Sequence, residues 1–241
     1  MSVRCIAIRI IAAAVLVLSL VGAASAAIRL EKFAEYKSDF YGCKAEIITP
    51  RVKGLSLKEE EDAINEELSL YSLEAIKDYG EKALGALKDA DASADLSVEV
   101  SCSIKADNDK CIAFDICRSD TFGSGSETHR IYTFSKKTGR AITLKDLFNE
   151  KVDYIKLISE YLVREMRRRN VKEGKAVYLL ADDGVSDGFS AIRHDQNFYI
   201  GSNGTIVICF DKYEAATGAM GTPEIEIPRG VIDDRLKEDV E

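Results

Sequence analysis

The sequence predicts an α+β domain with a mainly antiparallel sheet packed against two longer amphipathic helices. Apolar residues alternate with polar ones between residues 96 and 116, which is typical of paired strands with one buried face. Two other stretches, residues 64–87 and 152–166, carry apolar residues at helical spacing. Strands and helices are segregated along the chain instead of alternating in a regular βαβ rhythm, and this order favours the α+β class.

Residues 1–26 contain charged, apolar and small residues in the order that is typical of a cleavable signal peptide. Arg4 and Arg9 precede an apolar run over residues 10–21, and small residues follow up to the A-x-A site formed by residues 24–26. A membrane anchor is the alternative, but a spanning helix needs about 20 apolar residues and this run is shorter. We therefore expect a mature chain that begins near Ala27, has no membrane span and works in the periplasm or outside the cell.

The mature chain is acidic, with 31 basic and 41 acidic residues and a formal net charge of −10. Such a surface disfavours nucleic acid and anionic membranes and favours cationic partners. The charge also keeps an exported protein soluble, so both interpretations stay open. The oligomeric state is not predicted.

The first elements are a strand and a long helix. Residues 40–52 are extended in character, and Ser56 with Glu59 predicts a capping box at the start of a helix. Gly80 and Gly85 are positions where this helix could kink. Its apolar stripe consists of Ile64, Leu68, Tyr71, Ala75, Tyr79, Ala83 and Leu87.

Two hairpins follow. The first joins its strands at the Asp107-Asn108 turn, and the second joins residues 131–134 to residues 141–144 through a turn at residues 137–139. Thr143 and Asp146 then predict a short helical turn that ends near Phe148.

The second amphipathic helix is predicted to end in the three arginines at residues 167–169, where basic side chains complement the negative helix terminus. The last strands are predicted at residues 205–210 and 224–227. We interpret the arginines as a solvated helix end and not as a nucleic-acid patch.

Five cysteines remain after signal removal, and in an oxidising compartment they predict up to two disulfides of unknown connectivity. Cys111 and Cys117 would lie roughly 20 Å apart on one strand, so each needs a partner elsewhere, with Cys43 and Cys209 as candidates. No pair has the short C-x-x-C spacing of zinc ligands, so no metal site is assigned. The full set is Cys43, Cys102, Cys111, Cys117 and Cys209.

The sequence predicts no catalytic site and no cofactor. Residues 184–188 match G-x-S-x-G around Ser186, but no helical stripe follows and His194 is the only later histidine, so we interpret the segment as a loop. His129 and His194 lack a paired ligand spacing and are interpreted as surface residues. The glycine-rich residues 123–126 are interpreted as a flexible loop between strands.

Three segments together resemble one known family. A glycine-rich turn and a histidine precede a strand, a T-G turn and a "TL.DLF" helix start in residues 123–148, and a strand-rich closing signature occupies residues 198–228. The helix containing Ile64 and Asn65, after the turn at residues 50–55, is similar to the N-terminal half of the same family. That family is the extracytoplasmic domain of RsiV-type anti-sigma proteins, also found in PdaC-type peptidoglycan deacetylases.

The resemblance implies an α+β domain at the cell envelope and, as in RsiV-type proteins, a receptor surface for lysozyme. Only nine residues precede the apolar run, and the chain ends at Glu241 without deacetylase metal motifs, so we expect neither the sigma-binding nor the deacetylase part. The expected organisation is a signal peptide at residues 1–26 and one domain at 27–241, with an N-terminal half at about 27–120 and a C-terminal half at about 121–241.

These observations favour an exported, non-catalytic binding module, with a cationic protein such as lysozyme as its candidate ligand. Binding to peptidoglycan or another envelope glycan is the alternative. A hydrolase that uses Ser186 or the histidines, His129 and His194, is the third hypothesis. The sequence ranks no surface residues, so none is assigned to binding.

Overall fold

A computed structural model describes residues 27–86 and 96–237 of the chain. Within them, a six-stranded sheet, a three-stranded sheet and two long helices confirm the predicted α+β class with mainly antiparallel strands. The predicted signal peptide, residues 1–26, lies outside the described residues. Among the described residues, no helix combines the length and the apolar character that crossing a membrane requires.

The large sheet follows the order of the chain. Adjacent strands of this sheet are antiparallel, except for the second and third strands, which are parallel to each other. Two parallel neighbouring strands need a crossover connection, and the connection between the second and third strands contains helix α1 (Lys58–Ala86). The strands are β1 (Arg29–Phe40), β2 (Cys43–Lys53), β3 (Leu96–Asp107), β4 (Cys111–Phe122), β5 (Ser124–Ser135) and β6 (Ala141–Ile142).

Helix α1 packs against one face of this sheet and confirms the predicted apolar stripe. Leu68 and Ala75 are fully buried, and the stripe meets Val98, Phe114 and other strand residues in one core cluster. The helix runs without interruption through Gly80 and Gly85, whereas Leu87 lies outside the described residues.

The predicted capping box at the start of α1 is wrong. The helix begins at Lys58, and the hydroxyl of Ser56 donates instead to the carbonyl oxygen of Thr138 at 2.5 Å. The carboxylate of Glu61 takes over the role of acceptor, because it receives hydrogen bonds from the backbone amides of Gly54 and Leu55 at 2.9 and 3.3 Å. The chain before the helix is thus fixed by a residue one turn inside it.

Two further boundaries differ from the prediction. Residues 124–126 belong to strand β5 and pair with β4, so the glycine-rich stretch is a tight turn at Gly123 and not a flexible loop. Helix α3 (Tyr154–Glu173) continues past the arginines to a left-handed cap at Gly174. The arginines therefore lie inside the helix, where Arg168 and Arg169 pair with Glu165 one turn earlier.

The C-terminal part forms the second core. Its remaining elements are α2 (Leu144–Leu147), β7 (Phe198–Ile200), β8 (Ile206–Cys209), β9 (Glu224–Ile227) and α4 (Arg229–Ile232). Ile158, Leu162 and Met166 of α3 are buried in it, and so is Cys111 of β4, whereas Ile112 belongs to the first core. Since successive residues of a strand point to opposite faces, the second core covers the face of the large sheet opposite to α1.

Strand β5 joins the two cores through its outer edge. The side chain of Asp211 accepts from the amide of His129 at 2.7 Å, and Asn197 accepts from the amide of Ile131 at 2.9 Å. Asn197 also donates to the carbonyl oxygen of His129 at 2.7 Å. Two side chains therefore replace a neighbouring strand here and leave these edge groups paired.

Candidate functional site

Four polar side chains meet on the face of the large sheet that is covered by the second core. Asp115 and Cys117 come from β4, and Glu127 and His129 come from β5. Each pair is two residues apart, so both members share one face. Cys117 lies directly opposite His129 in the antiparallel register, which brings the four side chains together.

Asp115 and His129 form a buried pair at the centre of this cluster. Nδ1 of His129 lies 2.9 and 3.0 Å from the two carboxylate oxygens of Asp115, and the side chains are only 10% and 7% exposed. Burial disfavours the charged ring, but the hydrogen bond to Asp115 and the nearby charges of Glu127 and Asp211 outweigh it and raise the pKa of His129 above its ordinary value.

The other ring nitrogen of His129 is buried without a hydrogen-bond partner among the described residues. It lies 3.3 Å from Oε1 of Glu127, but the direction of that contact is not that of a hydrogen bond. Cys117, Glu127 and His129 each offer one donor atom, and these three atoms lie within 4.8 Å of one another. The orphaned nitrogen therefore faces a thiol and a carboxylate.

The thiol of Cys117 is not a nucleophile in this state. Burial, with the negative charges of Glu127, Asp115 and Glu99 around it, raises its pKa to about 12. Because the thiolate is the reactive form, a thiol with such a pKa is inert at neutral pH.

The sequence interpretation was right for His194 and Ser186 and wrong for His129. His194 is exposed, and Ser186 lies in a turn after a short 3-10 helix (Ala181–Asp183) with no helix following it. His129 is not a surface residue, because its ring is nine-tenths buried. The signal that could have located the cluster is Gly123: a tight turn there places Cys117 and His129 at equal distances from it along the hairpin.

The expected disulfides are not seen. All five cysteines in the described residues are free. Cys43 is buried in the core under α1 and Cys111 in the second core on the other side of the sheet, whereas Cys209 of β8 is buried but belongs to neither core cluster. The sheet therefore separates Cys43 from Cys111, its proposed partner on β4.

A second candidate site is the outward face of α1. The helix exposes six acidic and two basic residues, and Glu67 among them pairs with Arg130 of β5. Leu70 and Leu73 are each 60% exposed and Leu84 is 57% exposed on the same face. The charged members are Glu59, Asp62, Glu66, Glu67, Glu74 and Glu81 with Lys58 and Lys77. We call this set, with its three leucines, the acidic face of α1.

Comparison with known proteins places these features in a family. Residues 145–230 match the family described as "Protein of unknown function (DUF3298)". The chain is 31% identical to the anti-sigma-V factor RsiV of Bacillus subtilis over 204 residues, which cover 85% of this chain and 69% of that protein.

Two solved structures share the fold. A DUF3298 member from Bacteroides fragilis is 15% identical, with a TM-score of 0.59 over 89% of this chain and 95% of its own. A second member from Pseudomonas aeruginosa is 13% identical, with a TM-score of 0.56 over 90% of this chain and 97% of its own. The 31% identity to RsiV over most of both chains means that the chain belongs to the family of RsiV-type proteins, with a DUF3298 match over residues 145–230.

Proposed function

We propose that this protein is an exported, non-catalytic binding module of the cell envelope whose ligand is a cationic protein, with a lysozyme as the first candidate. In this proposal residues 1–26 are removed on export and residues 27–241 form the mature unit. The observation that carries the proposal is the acidic face of α1, which combines six exposed carboxylates with three solvent-exposed leucines. Membership in a family that contains an anti-sigma factor supports a binding role over an enzymatic one.

The charges of this face favour encounter with a cation. The six exposed carboxylates and two exposed ammonium groups of the helix sum to a charge of −4, and Arg130 of β5 offsets one more negative charge by pairing with Glu67. Lys58 and Lys77 pair with Asp62 and Glu81, which leaves three carboxylates without an ion-pair partner among the described residues: Glu59, Glu66 and Glu74. The mature chain as a whole carries −10. Complementary potentials of this kind accelerate association and orient the partner.

The leucines of the same face supply the apolar contact that charge alone does not. Leu70 and Leu73 lie three residues apart and Leu84 follows three turns later, so they form a ridge along one side of the helix. Large apolar side chains with a polar rim are the arrangement found at the centre of protein interfaces. The proposed contact is thus a leucine ridge bordered by carboxylates.

One observation favours glycan binding as a second candidate. Tyr41 is 81% exposed at the turn between β1 and β2, and Phe122 is 54% exposed where β4 ends. Lys44 pairs with Ser97, and Leu96 pairs with Phe122, so both aromatic rings lie at the same end of the sheet. Exposed aromatic rings are suited to stacking on sugars. Sedimentation with purified sacculi that is abolished in Tyr41→Ala would support this candidate, and no sedimentation would remove it.

Charge-reversal variants test the cationic-protein proposal. Glu66→Lys with Glu74→Lys alters the acidic face, whereas Glu160→Lys with Glu173→Lys makes the same change of net charge on α3. We expect the α1 pair to weaken binding of a c-type lysozyme at least tenfold in surface-immobilised binding assays, and the α3 pair to have little effect. Equal losses in both pairs would mean that only net charge matters and would contradict a site on α1.

Leu70→Ser with Leu73→Ser tests the apolar part of the same surface. Both leucines are mostly exposed, so the double variant is expected to fold normally. We expect faster dissociation of lysozyme with an almost unchanged association rate, because apolar contacts act after encounter. An unchanged dissociation rate would exclude the leucine ridge from the interface.

A further inference from the structure

The buried cluster on β4 and β5 contains three side chains of the kind that bind transition metals. They are a thiol, a carboxylate and an imidazole, and they come from Cys117, Glu127 and His129. We propose that these three residues bind one divalent cation of the zinc type, a site independent of the acidic face of α1.

The distances are compatible with such a site. The three donor atoms lie within 4.8 Å of one another. In a tetrahedral zinc site, bond lengths of 2.0–2.3 Å place neighbouring donor atoms about 3.5 Å apart. Nε2 of His129 and Oε1 of Glu127 already lie 3.3 Å apart, so the adjustment that a metal would require is confined to the thiol of Cys117, which lies within 4.8 Å of both.

The orphaned Nε2 of His129 is the observation that points to a ligand. This atom is buried and makes no hydrogen bond with the described residues, although a buried polar nitrogen is normally satisfied. It faces Glu127 at 3.3 Å without hydrogen-bond geometry. A cation between these groups would accept the lone pair of Nε2 and satisfy it.

The surroundings of His129 have the form that metal-binding histidines use. Asp115 accepts from Nδ1 at 2.9 Å, which fixes the tautomer and leaves Nε2 as the free lone pair. The backbone of His129 is held on the β5 edge by Asp211 and Asn197. The ring therefore has one orientation, with its metal-binding nitrogen directed towards Cys117 and Glu127.

The local charge favours a cation. Asp115, Glu127 and Glu99 act together on Cys117, and Asp211 adds a further negative charge near His129. The ammonium group of Lys105 lies 3.8 Å from Asp115 and forms a shorter ion pair, at 2.5 Å, with Glu224. Binding would release the Cys117 thiol proton to solvent and leave His129 neutral, so that the cation replaces protons in the cluster.

The donor types select the metal. Thiolate with imidazole favours zinc over magnesium or calcium, which prefer oxygen ligands. Three protein donors leave one tetrahedral position for water or for an atom of a partner. The exposed edge of Glu127 gives the cation a path from solvent.

Without a metal, the alternative occupant of the space between the ring and Glu127 is a proton on Nε2 of His129. The two arrangements differ in their spectra and stoichiometry. Only metal binding produces a thiolate-to-metal charge-transfer band with Co²⁺, since Cys117 is a ligand in one case and a bystander in the other.

The test is titration of the purified, reduced and chelator-treated protein with Zn²⁺ and Co²⁺. We expect one Zn²⁺ per chain in competition with a chromophoric chelator, a Co²⁺ thiolate band with tetrahedral d–d absorption, and a rise in the melting temperature on adding Zn²⁺. No stoichiometric binding, or Co²⁺ binding without a thiolate band, would overturn the proposal.

Matched variants locate the site. Cys117→Ser and His129→Gln should each weaken Zn²⁺ binding at least tenfold, whereas Cys102→Ser and His194→Gln should leave it unchanged. Glu127→Gln removes the third ligand at a side chain that is 39% exposed, so this variant is expected to fold even if a variant of a buried ligand does not. It should also weaken Zn²⁺ binding. Binding that survives Cys117→Ser and Glu127→Gln in folded protein would contradict the assignment.

Discussion

The side-chain amide of Asn65 forms a reciprocal pair of hydrogen bonds with the backbone of Val52. Oδ1 accepts from the Val52 amide at 2.7 Å, and Nδ2 donates to the Val52 carbonyl oxygen at 2.9 Å. Val52 is fully buried and Asn65 is 8% exposed. One side chain of α1 therefore satisfies two backbone groups of β2 and fixes the helix against the sheet.

Asn65→Leu is expected to destabilise the protein by about 2–4 kcal/mol, since it leaves a buried amide and a buried carbonyl of Val52 unpaired. Denaturant unfolding measures the loss. Ser69→Ala is the control, because Ser69 bonds only to the helix carbonyl of Asn65 and its loss should change the free energy of unfolding by less than about 0.5 kcal/mol. Equal effects of the two variants would contradict the role of Asn65.

Glu61 is expected to control acid stability. Burial alone would raise the pKa of Glu61, but hydrogen bonds from Lys58, Lys53 and the amides of Gly54 and Leu55 hold it at about 2, below its ordinary value of 4.5. A folded-state pKa below the unfolded one stabilises the protein above pH 4.5, and this stabilisation is lost as the pH falls towards 2.

Glu61→Gln should therefore cost about 2 kcal/mol at pH 7, the range for hydrogen bonds to a charged group. The difference from the parent protein should narrow as the pH is lowered from 5 to about 2. Urea unfolding at a series of pH values checks this, and a gap that does not depend on pH would mean that the charge of Glu61 contributes nothing.

Two glycines allow a matched test of turn geometry. Gly139 has a φ of +66° and packs against Ser56, so an added Cβ would meet the Ser56 side chain and lie 3.2 Å from its backbone nitrogen. Gly123 has a φ of +71° with nothing within 4 Å. Both alanine variants cost about 1 kcal/mol of backbone strain, but Gly139→Ala should cost clearly more.

Thermal unfolding of the two glycine variants provides the measurement. We expect the melting temperature of Gly139→Ala to fall by several degrees more than that of Gly123→Ala. The same fall in both would show that the contact with Ser56 adjusts without cost.

The β5 edge predicts a pattern of hydrogen exchange. Asn197→Ala removes the acceptor of the Ile131 amide and the donor to the His129 carbonyl, and both bonds hold the second core against the sheet. We expect the amide of Ile131 to exchange at least tenfold faster, while the amide of Phe114 in the middle of β4 stays protected. Equal protection of Ile131 in both proteins would contradict a structural role for Asn197.

The sequence was sufficient for elements that bury a regular apolar face. The β3–β4 hairpin, the stripe of α1 and the strand at Glu224–Ile227 follow directly from alternation or helical spacing. Strand β1 was not predicted, because its residues are almost all exposed and it is held by pairing with β2 and not by burial.

The buried cluster was not predicted because it depends on register and on distant residues. Cys117 meets His129 only if the chain reverses at Gly123, and the sequence was interpreted there as a loop. The edge of β5 is held by Asp211, which is 82 residues after its partner His129, and by Asn197, which is 66 residues after its partner Ile131. No local pattern encodes such pairings.

The most direct test of the proposed function is calorimetric titration of the purified protein with a c-type lysozyme at physiological salt, where screening suppresses non-specific attraction. Cytochrome c, a cationic protein with a different surface, is the control ligand. We predict saturable one-to-one binding of lysozyme that is weakened at least tenfold in the Glu66→Lys, Glu74→Lys variant. No heat of binding, or equal binding of cytochrome c, would contradict the account.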